Sequence, residues 1–192
     1  MSILLAFSPF ITFSVAERAV GVVPALFAAA AVSVWLLVRG RQRGDSGFNA
    51  LEVGSVVMFL GLGVAAMAAD PAAWTLWRVR LAVDGGLMLI VVLGLLVRRP
   101  FSLFEGRKQV SAEVAGSAAF LRTNMIVSGA WAAAFGGLVI ADRLMVLNPQ
   151  APAALGIGLT VGALVAAFAF TGWYAERVGR RAAARKLARG AQ

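Results

Sequence analysis

The residues best suited to chemistry in this sequence are a few charges set inside, or at the edges of, long apolar stretches. Asp84 lies about one turn into the stretch that begins at Val79, and Arg80 precedes it by four residues. That spacing puts both on one face of a helix, where they can pair. Glu17-Arg18 and Asp142-Arg143 close two other apolar stretches on the same predicted membrane face. Charges at membrane depth are costly and are candidate ion or proton sites. One reading is therefore an outward-facing polar pocket built from Glu17, Arg18, Arg80, Asp84, Asp142 and Arg143, with Asp84 or Glu17 as a proton or cation site. The other is that these are interfacial pairs pinning helix ends together. Each of these side chains can snorkel to the headgroups, which favours the second reading.

Absences bound the rest of the chemistry. The chain has no cysteine and no histidine. Disulfides, thiolate chemistry, His-ligated metals or haem, and Ser–His or Cys–His nucleophile pairs are excluded. No carboxylate or Ser–Lys spacing proposes an intramembrane enzyme, so the expectation is a non-enzyme with no cofactor and no metal. On the opposite predicted face, Glu52 opens one span while Arg122 and Asn124 open another; these are inner-side polar contacts, most simply packing ones. The segment from Arg98 to Lys108 is the least generic loop. Two arginines, Arg98 and Arg99, end a helix and Pro100 stops it. Phe101, Leu103 and Phe104 beside Arg107 and Lys108 then suggest a strip on the membrane surface. It reads equally as a contact for anionic headgroups or a partner protein, and as an ordinary basic loop.

The elements that must position these residues are helices in a bilayer. Hydrophobic residues make up 60% of the chain and charged ones 14%, against roughly 45–50% and about 25% in soluble domains. The expectation is all-α: a polytopic transmembrane helix bundle of six hydrophobic segments, at about 3–16, 19–39, 51–69, 79–97, 120–142 and 153–174, forming three hairpins. They leave room for a single membrane domain over 1–176 and a basic tail over 177–192. Segments of about 18 or more apolar residues can cross the hydrocarbon core. The first is too short to be taken as a span, and Pro9 weakens it; it either crosses as a short tilted helix or is re-entrant. Small residues, including the Gly158-x3-Gly162 pair, are read as packing points within the chain.

The basic residues are sorted. Arg39, Arg41 and Arg43, then Arg98, Arg99, Arg107 and Lys108, then Arg177, Arg180, Arg181, Arg185, Lys186 and Arg189 make thirteen of the 18, all on one predicted side. The positive-inside rule makes that side cytoplasmic, with the C-terminus inside. The same sorting accounts for the net charge of +9, so nucleic acid is not an expected partner. The N-terminus has no basic region before its apolar segment, so a signal peptide is not expected.

The sequence resembles the intracellular septation protein A family of bacterial inner-membrane proteins. The resemblance is spread over most of the chain. It runs from Phe7-Ser8-Pro9-Phe10 and the Ala-rich helix ending at Trp35 and Arg39, through Trp77-Arg78-Val79 and Arg98-Arg99-Pro100 to Gly106-Arg107. It closes on Asn124 and Trp131-Ala132. It implies a multi-pass protein of the bacterial cytoplasmic membrane, a non-enzymatic scaffold in cell-envelope maintenance or septation. The partners implied are the bilayer itself, anionic lipid headgroups and envelope-synthesis or division proteins. Asp84 and the acid–base sets have no counterpart in the resemblance. They support an alternative, a small transporter or channel with Asp84 as its intramembrane carboxylate.

Overall fold

Apolar chain in hydrocarbon can satisfy its backbone N–H and C=O groups only within itself, which leaves the helix as the workable form here. The computed structural model describes residues 3–42, 50–68, 74–107 and 109–190, with backbone alone at 3–4 and 182–190. Among the described residues there is no strand. The helices are α1 (Ile3–Ala6), α2 (Ser8–Val20), α3 (Val22–Gln42), α4 (Ala50–Ala68), α5 (Leu76–Leu96), α6 (Phe101–Arg107), α7 (Ala112–Ala115), α8 (Ala118–Leu147) and α9 (Ala153–Gly190). Five of them, α3, α4, α5, α8 and α9, are long and apolar enough to cross a membrane.

The first segment is split, though not by its proline. Pro9 stands in the first turn of α2, where its missing N–H removes no helical bond and its fixed φ suits the start of a helix. The break falls at Phe7, and the 13 residues of α2 extend about 20 Å. A single residue, Gly21, then separates α2 from α3. Its φ of 86° and ψ of 171° lie in a region essentially reserved for glycine, and this lets α2 and α3 pack against each other.

Neighbours in the sequence are neighbours in space: α2 on α3, α3 on α4, α4 on α5, α5 on α8, and α8 on α9. The centre is aromatic. Phe7 stacks on Trp131 with ring centroids 5.1 Å apart, while Phe101, Phe135 and Phe168 surround the indole edge-on or tilted. With lipid as apolar as leucine, such dispersion contacts between close-fitting surfaces hold the helices together. The Gly158-x3-Gly162 pair takes no part, since neither glycine has a neighbour where a Cβ would stand. Close approaches occur instead at Gly156, against Trp77 and Met145, and at Gly54, against Ile90.

Two spans run past their expected ends. α8 does not stop at Asp142 but continues to Leu147, and α9 carries the basic tail as one 38-residue helix. α6 folds inward: Phe101, Ser102 and Leu103 are buried, so the apolar side of this segment is turned onto α8. At the end of α5, Arg98 has φ 55°, a left-handed conformation that costs a non-glycine residue about 1–2 kcal/mol.

Gly21 gives a clean test of the α2–α3 reversal. A Cβ there would meet nothing within 4 Å, so Gly21→Ala probes the backbone alone. It is expected to lower stability by about 1–3 kcal/mol. Gly61→Ala, in a helix with equally open space, should be neutral or stabilising by about 0.5–1 kcal/mol. Thermal unfolding of the detergent-solubilised variants reads both.

Candidate functional site

The packing faces of three helices carry the charges to one place. On α2 the buried positions are Pro9, Phe10, Phe13 and Glu17, one stripe at helical spacing that ends in a carboxylate. On α8 they include Asn124, Ser128, Trp131, Phe135, Leu138, Asp142 and Met145, an alternating four-and-three pattern along the core seam. Asp142 thus occupies a position where the pattern calls for an apolar side chain. On α5 the buried row is Val79, Val83, Leu87 and Val91, and Arg80 and Asp84 stand beside it, one turn apart.

Arg80 is the hub. Its Nη1 is 3.8 Å from Glu17 Oε1 and its Nε is 3.8 Å from Asp142 Oδ1, and both acidic side chains are wholly inaccessible to solvent. The expected Arg80–Asp84 partnership within one helix gives way to ion pairs that tie α5 to α2 and α8. These separations are electrostatic contacts too long for direct hydrogen bonds, and the carboxylate oxygens of Glu17 and Asp142 have no hydrogen-bond partner. Asp84 and Asp142 face each other closely enough for their charges to interact. The Trp77 ring lies 5.4 Å from the Arg80 guanidinium carbon and adds a cation–π contact.

Asp84 opens onto a cavity of about 420 Å³. Arg18, Arg80 and Asp84 form its polar end. Its walls are apolar and aromatic, including Phe10, Trp131, Phe135 and Phe168. Thr160, from α9, also lines it, and its buried hydroxyl has no hydrogen-bond partner. Mostly apolar lining with a few convergent polar groups is the usual character of a small-molecule site. Of the six residues expected here, Glu17, Arg80, Asp84 and Asp142 come together and Arg18 lies at the cavity rim. Arg143 is exposed and is not part of the cluster. Thr160 and the aromatic wall were not legible, because helical spacing alone does not reveal which spans enclose a space.

At the other end, the polar residues divide. Asn124 joins a buried network: Ser102 Oγ donates to Asn124 Oδ1 at 2.9 Å and lies 3.0 Å from Ser128 Oγ, while Asn124 Nδ2 donates to the Phe120 carbonyl. This network fastens α6 to α8. Ser102 and Ser128 were not singled out in the sequence, although Asn124 and Ser128 share a face at i, i+4. Glu52 is half-buried in the first turn of α4, and Arg122 is exposed. Arg98, Arg99 and Arg107 are exposed, Phe104 is half-buried and Phe101 belongs to the core; Lys108 lies outside the described residues.

Compared with known proteins, the chain matches no family model, no curated protein and no solved structure.

The hub makes a sharp stability prediction. Arg80→Met leaves two buried carboxylates without their counter-charge, and is expected to destabilise the fold by about 3–5 kcal/mol. Adding Glu17→Gln and Asp142→Asn should recover much of that loss. Arg143→Ala, on the exposed side, should stay within about 0.5 kcal/mol of the parent. Thermal unfolding in detergent compares the three.

Proposed function

We propose that this chain is a small multi-pass transporter of the cytoplasmic membrane, in which Asp84, backed by Asp142 and Glu17, is an intramembrane proton or cation site. The observation that carries this reading is the cavity reaching Asp84, beside the buried carboxyls of Glu17 and Asp142 that flank the Arg80 guanidinium. A structural pin between helices needs one acid per arginine. Here Glu17 and Asp142 flank Arg80, Asp84 stands one turn from it and Arg18 lies at the cavity rim, so the fully ionised set of three acids and two arginines has an excess of one negative charge. An extra carboxylate in a desolvated site adds only desolvation cost and repulsion. Its presence makes sense where a proton or cation comes and goes to balance it. The apolar and aromatic cavity next to the cluster suits an organic substrate whose passage is linked to that charge.

In this reading the six apolar segments form three hairpins. The arginine-rich ends and the C-terminus are cytoplasmic, following the sorting of basic residues, and the carboxyl cluster lies in the outer half of the membrane. The scaffold role in septation or envelope maintenance rests on the resemblance and on the Arg98–Lys108 segment. It is the weaker reading, since Phe101 and Leu103 of that segment are largely buried.

Two measurements test the carboxyl site. In a pH-jump infrared difference spectrum of the reconstituted protein, a buried carboxylic-acid C=O band is expected. It should vanish in Asp84→Asn and persist in Glu113→Gln, which alters an exposed residue. In proteoliposomes loaded with a pH-sensitive dye, the parent should dissipate an imposed proton gradient faster than empty vesicles, Asp84→Asn should fall to the empty-vesicle rate, and Arg143→Ala should match the parent. An unaltered band and an unaltered flux in Asp84→Asn would sink the proposal.

A further inference from the structure

A second polar site lies at the opposite end of α5, roughly 20 Å along the helix from Asp84. There Arg98, Arg99 and Arg107 line a groove of about 820 Å³. Among the described residues, every charged one lining it is an arginine. Phe101, Phe104 and Leu121 provide an apolar side, and the first residues of α8, Ser117 and Ala118, complete the wall. The N-terminus of a 30-residue helix adds its positive dipole end to the arginines.

The backbone adds an independent observation. α5 ends in a reversal in which Arg99 N–H donates to the Gly94 carbonyl at 2.8 Å and Arg98 N–H to the Leu95 carbonyl at 3.0 Å. The residue at the left-handed position of such a helix end is usually glycine. Here it is Arg98, with φ 55°. A guanidinium is held at the groove in a conformation that its own backbone disfavours. Strained conformations of this kind persist where the surroundings over-determine them, and they cluster at binding sites.

We infer that this groove is a binding site for the phosphate headgroup of an anionic phospholipid. Three arginines and a helix N-terminus, with no acid among the described lining residues, are complementary to phosphate, which guanidinium groups bind in a bidentate fashion. The apolar flank and the position at the end of the spans favour a lipid over a free anion, because the acyl chains can lie along Phe104 and Leu121 while the headgroup meets the arginines. Basic pockets at the cytoplasmic ends of membrane helices are suited to such headgroups.

The unusual backbone makes the test discriminating. Arg98→Gly removes a charge from the groove while relieving the left-handed strain, so it separates binding from folding. Native mass spectrometry of the full chain, exchanged from nanodiscs containing phosphatidylglycerol or cardiolipin mixed with phosphatidylcholine, counts retained lipids. The parent should retain the anionic lipids and not phosphatidylcholine. Arg98→Gly and Arg99→Ala should each lower retention about five-fold, while the unfolding midpoint of Arg98→Gly rises by about 2–4 °C. Equal retention of zwitterionic and anionic lipid, or unaltered retention in Arg98→Gly, overturns the inference. So does displacement of the lipid by millimolar inorganic phosphate, which would mark a free-anion site. Co-purification of an acidic protein that depends on Arg98 and Arg99 in place of lipid overturns it in favour of a protein interface.

Discussion

A charge removed from water must be met by an opposite charge or by hydrogen bonds, and the arrangement around Arg80 follows from that requirement. Its guanidinium is close to one carboxylate from α2 and one from α8, so it ties α5 to both helices. The effect is felt well beyond the charges. With Glu17 drawn inward, the face of α2 that carries Phe10 and Phe13 turns onto Phe59. With Asp142 drawn inward, the seam of α8 that carries Trp131 and Phe135 faces the centre of the bundle. In a bilayer, where burying apolar side chains gains little over leaving them in lipid, a shared counter-charge is a stronger device for setting helix register than it is in a soluble core.

The two ends of the bundle solve the problem of buried polarity differently. At the arginine-hub end the carboxylates of Glu17 and Asp142 are held at ion-pair distances without direct hydrogen bonds. At the α6 end, Ser102, Asn124 and Ser128 satisfy one another at hydrogen-bonding distance, an arrangement that locks. A fully satisfied polar network rigidifies its surroundings. The bundle therefore combines a hydrogen-bonded end with one held by ion pairs, and the cavity lies against the ion-paired end.

How far the sequence disclosed this depended on the range of the interaction. The spans themselves were plain, because hydropathy over about twenty residues is a local quantity and helical structure is the form available to such chain in lipid. The convergence of Glu17, Arg80, Asp84 and Asp142 was legible in outline, since each stands near a span end on one predicted face. The partners were not. Spacing of four within α5 suggested Arg80 with Asp84, whereas the close ion pairs cross to other helices, and no one-dimensional pattern contains that distance. Asp142 and Pro9 misled for a related reason. Each is a helix-ending signal in water, yet a counter-charge across the interface carries α8 past Asp142 to Leu147, and a first-turn position makes Pro9 a helix start. The inward fold of α6 was hidden because an aromatic pair beside arginines looks the same on a membrane surface as against a tryptophan.

The length of α9 has a consequence of its own. Thirty-eight residues of continuous helix extend about 57 Å, nearly twice the thickness of the hydrocarbon core. Trp173, exposed and with Arg177 lying 5.2 Å from its ring, marks the level of an interface. The helix then runs on through a further 17 residues, about 25 Å. The surface potential of a membrane decays over a Debye length, about 8 Å at physiological salt. At that length, the tail spans several Debye lengths from base to tip. The basic tail is therefore no separate appendage but a rigid continuation of the last span.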